Sequence, residues 1–156
     1  MATTTYEVIQ SVTLASSASG IVFSSIPDTF RDLRIVFDGT TSGGIRVQLN
    51  NDAGSNYQTT AFGASGSGTS QANEAAGFAQ PSYWANFNTR GILILDFFDY
   101  AQTDKHTSFL ARGNGSWVVA SINRWANTAK VNNISVQDSN ASMGAGSTMT
   151  LFGIAG

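Results

Sequence analysis

The sequence has no cysteine and few charged residues, and each shortage excludes a class of protein. Without cysteine there is no thiolate chemistry, no disulfide framework and no zinc site of the cysteine type. Charged residues make up 12% of the chain and the formal net charge is −2, whereas charged residues are roughly a quarter of ordinary chains. A surface without surplus lysine and arginine does not neutralise phosphates, so we expect no nucleic-acid partner.

The sequence also lacks a long apolar run. No 18 consecutive apolar residues occur, and the first ten residues show no basic segment followed by an apolar stretch. We therefore expect no membrane span and no secretory signal, hence synthesis in the cytoplasm. The 156 residues are long enough to bury a full core, so we expect one domain over 1–156.

Strict alternation of apolar and polar residues predicts β-strands. The pattern is clearest at 45–50, "IRVQLN", and it also places Leu33, Ile35 and Phe37 on one face of a strand. The segment "GTTSGG" joins the two, and we interpret them as a hairpin. No window shows a convincing helical period.

The remaining strands are predicted from similar short runs between turns. They are "TYEVIQSVTL", "IVFSSI", "HTSFLAR", "SWVVASI", "AKVNNISVQ" and "STMTLFGI". Asn114-Gly115 is typical of a tight hairpin turn with positive φ. Residues 61–80, small and rich in glycine, show no period and are interpreted as a long crossover loop. The fold class we predict is an all-β antiparallel two-sheet sandwich, a jelly roll of about eight strands.

Residues 91–100, "GILILDFFDY", form the longest apolar run and are apolar on both faces. Ile92 and Ile94 point to one side of a strand, and Leu93 and Leu95 point to the other. Only one face of a sandwich strand meets the core, so the second requires a loop or a neighbouring subunit. We predict that Ile92, Ile94 and Phe98 belong to a protein interface.

The same run ends in two carboxylates, Asp96 and Asp99, with the only histidine, His106, nearby. Residues three apart in a strand point to opposite faces, so the carboxylates do not converge for acid–base chemistry. We expect both where the strand turns toward solvent, close to Lys105. His106 is interpreted as a residue at a strand end. An enzymatic alternative, cleavage of host polysaccharide, would make Asp96 essential.

Aromatic residues next to arginine are typical of binding surfaces. Tyr83 and Trp84 lie together in a turn-rich segment, and Arg124 precedes Trp125. We predict these four residues as a second candidate contact surface. The alternative is that each tryptophan closes an end of the sandwich.

Two further motifs are weak. Gly63–Ser70 has the glycine spacing of a phosphate-binding loop, but Thr69 stands where the lysine belongs, so a flexible loop is favoured. Asn50–Asn56 has oxygen ligands but a single acid, so a turn is favoured over a calcium loop. We expect no catalytic residue, no cofactor and no metal.

Three segments carry a resemblance to a known group of proteins. Ser25-Ile26-Pro27 leads into Leu33, "NNDAGSNY" follows a strand at 50–57, and the chain closes with "LFGI" at 151–154. With "YEVIQSVTLASSASGIVFSSIPDTFRDLRIVF", these segments resemble small structural proteins of tailed bacteriophages, particularly phages of aquatic bacteria. None of the segments is a catalytic motif.

The resemblance implies a non-enzymatic component of the virion, with homotrimers common. The chain starts at its own methionine and has no added coiled coil or tail-anchoring segment, which favours a free-standing capsid decoration or cement protein. Such a protein binds the outside of the shell of major capsid protein and stabilises it. The alternative is a tail or tail-fibre component, or an adhesin module that binds the host surface through Tyr83, Trp84, Trp125 and the 61–80 segment.

Overall fold

Eleven β-strands and no helix occur among the residues that the computed structural model describes. These are residues 5–66, 68–83 and 85–156, with 71–75 described by their backbone. Within this part of the chain, no helix is long and apolar enough to cross a membrane. The strands are β1 (Tyr6–Thr13), β2 (Gly20–Ser24), β3 (Asp32–Gly39), β4 (Ile45–Leu49), β5 (Tyr57–Ser65), β6 (Gly68–Ala76), β7 (Gly91–Phe98), β8 (Thr107–Asn114), β9 (Val118–Trp125), β10 (Asn133–Asp138) and β11 (Thr148–Ile154).

The strands form two antiparallel sheets. The larger has eight strands in the order β1-β11-β3-β7-β8-β9-β5-β6, and the smaller has three in the order β2-β10-β4. The predicted all-β antiparallel sandwich of jelly-roll type is therefore confirmed, with eleven strands among the described residues in place of about eight.

The core lies between the sheets. Apolar side chains of β2, β4 and β10 join those of the larger sheet in one buried cluster. The smaller sheet has three strands among the described residues. Residues 77–83 and 85–90, here called the 77–90 segment, cover part of the larger sheet's inner side. Phe87 and Ala85 in this segment are fully buried, and Ala79 exchanges backbone hydrogen bonds with Val47 of β4.

The predicted hairpin of residues 33–37 and 45–50 is wrong. β3 lies in the larger sheet between β11 and β7, whereas β4 lies in the smaller sheet beside β10. Both strands have the expected alternation because both present one apolar face to the same core, from opposite sides. Alternation shows which face is buried and leaves the strand's neighbour undetermined.

The predicted crossover loop at 61–80 is also wrong for most of its length. β5 and β6 pair from Tyr57↔Ala76 to Ser65↔Gly68, so this segment forms a hairpin at one edge of the larger sheet. The inward positions Thr59, Ala61 and Gly63 are small or polar, which hides the strand period from a hydrophobicity pattern. The actual crossing between the sheets begins at residue 77.

The hairpin between β8 and β9 is confirmed, but its turn differs from the one predicted. Residues 115–117 connect the strands, and neither Asn114 nor Gly115 has a positive φ. Gly115 is required for another reason: a Cβ there would overlap the backbone oxygen of Asn86.

Candidate functional site

The side of the eight-stranded sheet that faces away from the smaller sheet, here called the outer face, is unusually apolar. Strand register places its side chains in rows across β7, β8, β9 and β5. One row is Ile94, Arg112, Ala120 and Phe62, and the next is Asp96, Leu110, Ile122 and Thr60. Neighbouring strands lie about 4.8 Å apart, so members of a row contact one another.

Six large apolar side chains of the outer face expose between 39% and 67% of their area: Phe62, Ile92, Phe98, Leu110, Val118 and Ile122. They lie on four hydrogen-bonded strands, so their positions are fixed by the sheet. An exposed apolar surface of this extent is typical of a protein–protein contact.

The prediction that β7 is apolar on both faces is confirmed in its geometry. Leu93 and Leu95 are buried in the core, while Ile92 and Phe98 are exposed and Ile94 is half-buried on the outer face. Their role in an interface stays a prediction. The sequence did not single out Phe62, Leu110, Val118 and Ile122, which extend the same surface.

The alternation in 118–125 could have identified Val118 and Ile122 as part of the outer face. Val118, Ala120 and Ile122 face outward, whereas Ser121 and Asn123 are buried on the inner side. The inner polar groups are satisfied because Ser121 Oγ donates to the carbonyl of Pro81 at 2.9 Å and Asn123 Oδ1 accepts from Thr59 Oγ1 at 2.8 Å. Period-2 analysis detects the two faces, and it assigns the apolar one to the core by default.

Asp96 is a carboxylate in the middle of the outer face, and two arginines pair with it at a buried position. Arg34 Nε donates to Asp96 Oδ1 at 2.5 Å and Arg112 Nη1 donates to Asp96 Oδ2 at 2.6 Å. Burial opposes the charged form, but the two arginines outweigh it and hold the pKa of the carboxyl below its ordinary value. Arg34 also donates to Tyr6 Oη at 2.9 Å, so the network reaches β1.

The expectation that Asp96 lies where the strand turns to solvent is therefore wrong, because the strand continues to Phe98. For Asp99 the expectation is confirmed. Asp99 has φ 47°, immediately after β7, and Lys105 Nζ donates to its Oδ2 at 2.5 Å. His106 is exposed just before β8, as interpreted. Both oxygens of Asp96 are engaged by arginines, which leaves this carboxylate unsuited to act as a base.

The second predicted contact surface is not assembled as expected. Trp125 is buried, stacks on Tyr57 with ring centroids 6.5 Å apart, and donates from its indole Nε1 to Asp52 Oδ2 at 2.7 Å. It closes one end of the sandwich, which was the alternative interpretation. Its assignment as an exposed contact residue is wrong, because side chains at this position of β9 point into the core.

The other members of that surface have different outcomes. Arg124 is exposed on the outer face, beside the row that contains Ile122. Tyr83 is half-buried in the 77–90 segment. Trp84 lies outside the described residues.

Of the two weak motifs, the calcium-loop-like segment forms the turn that was favoured, and the phosphate-loop-like segment belongs to a hairpin. Residues 50–56 form a turn in which Asp52 accepts from the backbone N–H of Gly54 and from Asn56 Nδ2, both at 2.8 Å. Residues 63–70 span the end of the β5–β6 hairpin. Nowhere in the described part of the chain do three histidine or acidic side chains group to hold a metal ion.

Comparisons with known proteins give likeness at the level of fold. No protein-family model and no curated protein matches the chain. Exo-inulinase from Aspergillus awamori is 9% identical with a TM-score of 0.41, over 95% of this chain and 29% of the inulinase. Domains LG4-5 of the mouse laminin α1 chain are 14% identical with a TM-score of 0.38, over 91% of this chain and 40% of theirs.

A variant of alginate lyase Aly36B in complex with an alginate tetrasaccharide is 8% identical with a TM-score of 0.31, over 90% of this chain and 78% of the lyase. The chain spans 29% of the inulinase and 40% of the laminin structure, less than half the length of each. All three scores are below 0.5, so these likenesses carry no argument about function.

Proposed function

We propose that this chain is a non-enzymatic structural protein of a tailed-bacteriophage virion, and that it acts as a capsid cement or decoration protein. It binds the outside of the major capsid protein shell through the outer face and stabilises the shell. The observation that carries the proposal is the exposed apolar surface on β5, β7, β8 and β9.

The physical reason is the cost of leaving such a surface in water. Each Å² of apolar area removed from water contributes roughly 25 cal/mol, and six large side chains are available on strands that do not need to reorganise. A preformed sheet surface loses little conformational entropy on binding. A cement protein must add contacts across the joints of an already assembled shell, and a rigid apolar face is suited to that role.

The sequence resemblance supports the same assignment. The segments that carry the resemblance belong to the framework of the fold. Leu33 is fully buried in β3, residues 50–57 form the turn into β5, and residues 151–154 end β11. They maintain the sandwich and contain none of the six exposed apolar residues of the outer face. A homotrimer is part of the proposal, in which copies on the shell contact one another as well as the capsid protein.

Location and mechanical effect test the proposal together. We expect quantitative mass spectrometry of purified particles to find hundreds of copies per particle, and particles lacking the chain to release DNA at a lower temperature. Copies numbering in single figures or tens, with immunogold label at the tail, would instead support the alternative of a tail or fibre component. Particles of unchanged heat stability would contradict a cement role.

A pair of variants links the effect to the outer face. Ile122→Lys places a charge in the apolar surface, whereas Val22→Lys changes a similarly exposed side chain on the smaller sheet. We expect Ile122→Lys to stop sedimentation of the chain with shells and Val22→Lys to leave it unchanged. Equal binding by both variants would contradict use of the outer face.

A further inference from the structure

A groove of about 700 Å³ lies on the outer face, between the β5–β6 hairpin and the end of the β8–β9 hairpin. Its floor is made of small residues, among them Ala64, Gly113 and Ala120, and Phe62 and Val118 line it as larger apolar side chains. A volume of this size is in the usual range, roughly 300–1,000 Å³, for sites that hold a ligand or an anchoring side chain.

Arg112 stands between this groove and a second depression. The second depression has a volume of about 290 Å³, and Leu110 and Ile122 line it. Arg112, Phe62 and Ala120 line both. The outer face therefore has two apolar depressions on either side of one guanidinium group.

The guanidinium group of Arg112 is held in place and still has donors to offer. Its Nη1 donates to Asp96 Oδ2 at 2.6 Å, and about half of the side chain is exposed. Its Nε and Nη2 have no partner among the described residues. The hydrogen bond to Asp96 fixes the orientation of Arg112. Because a guanidinium has five N–H donors, others remain for an acceptor outside the chain.

The charge of the surroundings favours an acidic acceptor. Among the side chains that the structure describes on the outer face, Arg34, Arg112 and Arg124 stand against the carboxylate of Asp96. Asp32 and Asp38 of β3 each form an ion pair with an arginine outside the strands and add no net charge. The described part of the outer face is thus positive although the whole chain has a formal charge of −2. Two copies packed through this same face would place arginines against arginines, so charge complementarity points to a different, acidic partner.

We propose that the two depressions bind an extended polypeptide segment of the shell protein in which a carboxylate pairs with Arg112 and the apolar side chains two residues before and after it fill the depressions. This inference rests on the proposed function and names the chemistry of the partner at the same surface. A saccharide is disfavoured because the groove has few polar groups, mainly Arg112, Thr69 and Ser70, whereas a sugar needs a hydrogen-bond partner for most of its hydroxyls.

Because alternate side chains of an extended segment face the same side, two capped pentapeptides serve as probes: acetyl-leucyl-alanyl-glutamyl-alanyl-leucine amide and its glutaminyl counterpart, which has nearly the same shape and no charge. We expect the amide NMR signals of Gly113, Val118 and Ala120 to shift and saturate. Because the side chain of Arg112 is about half exposed, water screens the ion pair, and the glutamyl peptide should bind about threefold more tightly than the glutaminyl peptide.

Variants assign the effect to the groove. Arg112→Gln should bind both pentapeptides equally, while Arg124→Gln, a change of an exposed arginine on the same face outside the groove, should keep the preference. Val118→Ser should weaken both peptides by a similar factor, because it reduces apolar contact without a change of charge. Thermal unfolding of each variant verifies that it is folded.

Three outcomes would overturn the inference: equal binding of the two pentapeptides to the wild-type chain, shifts at residues away from the groove, or tighter binding of a uronic-acid trisaccharide than of the glutamyl peptide. Shell binding separates this inference from the proposed function. If the chain is present on shells and Arg112→Gln binds them undiminished, the inference fails and the proposed function stands. If the glutamyl preference is found but the chain is absent from particles, the proposed function fails and the groove's chemistry stands.

Discussion

Asp96→Asn tests whether the buried carboxylate organises the outer face. Asparagine has nearly the same shape, so packing is kept while the negative charge between Arg34 and Arg112 is removed. Asp38→Asn is the matched control, because Asp38 forms an exposed ion pair with Arg90 in the same sheet.

The magnitude follows from the exposure of the partners. Hydrogen bonds to charged groups contribute about 1.5–3 kcal/mol and are roughly twice as strong as neutral ones, so the contact with the largely buried Arg34 should weaken by about 1 kcal/mol. The contact with Arg112, which is half exposed, is worth about 0–1 kcal/mol. We expect Asp96→Asn to lower the free energy of unfolding by about 1–2 kcal/mol, or about 3–6 °C in Tm for a chain of this length. The control should change it by less than about 0.5 kcal/mol.

The pH dependence gives a second readout. Because the pKa of Asp96 is lower in the folded chain than in the unfolded chain, its stabilising contribution is present above the unfolded value, about 3.9. That contribution is lost as the pH falls through the lower folded pKa. Urea unfolding at pH 7 and between about pH 4 and pH 2 measures it. A variant as stable as the wild type at pH 7, or a difference that does not shrink in acid, would refute the reasoning.

Three further predictions concern the frame that supports the outer face. Gly91→Ala should destabilise the chain by more than about 3 kcal/mol, because a Cβ there overlaps the backbone oxygen of Asn114. Gly66→Ala, where a Cβ meets open space, is the control and should be close to neutral. Chemical denaturation of both variants measures the two changes. Trp125→Phe should cost about 2 kcal/mol by removing the indole donor to Asp52 and part of the buried ring, and an unchanged midpoint would contradict this. Burial raises the pKa of Tyr57 to about 12, above the value of about 10 in an unfolded chain. The free energy of unfolding should therefore fall as the pH rises from 10 toward 12. Tyr57→Phe should make this fall with pH less steep.

How far the sequence predicts this molecule depends on what a hydrophobic pattern encodes. β3 and β4 were predicted as strands because apolar residues alternate, and each does bury that face. Their pairing was wrong because two strands on opposite sides of one core have the same pattern as two neighbours. Turn residues between them did not distinguish a hairpin from a crossing between sheets.

The candidate site shows the same limit more sharply. The outward position of Ile92 and Ile94 was predicted because β7 is apolar on both faces, which no single core can satisfy. Phe62 and Ile122 were missed because their strands place small or polar residues inward, where hydrogen bonds to the 77–90 segment satisfy them. Strands with their polar side facing the core depend on hydrogen bonds to residues far away in the sequence, which a local hydrophobic period does not encode.

A cryo-EM map of the intact particle, at a resolution that shows side chains, would show where the chain lies and which surface holds it. We expect this chain in regular positions over the shell, with Phe62, Val118 and Ile122 buried against a neighbouring protein and Arg112 beside a carboxylate of that neighbour. A map in which the outer face is turned to solvent, and the chain is held through the smaller sheet, would contradict it.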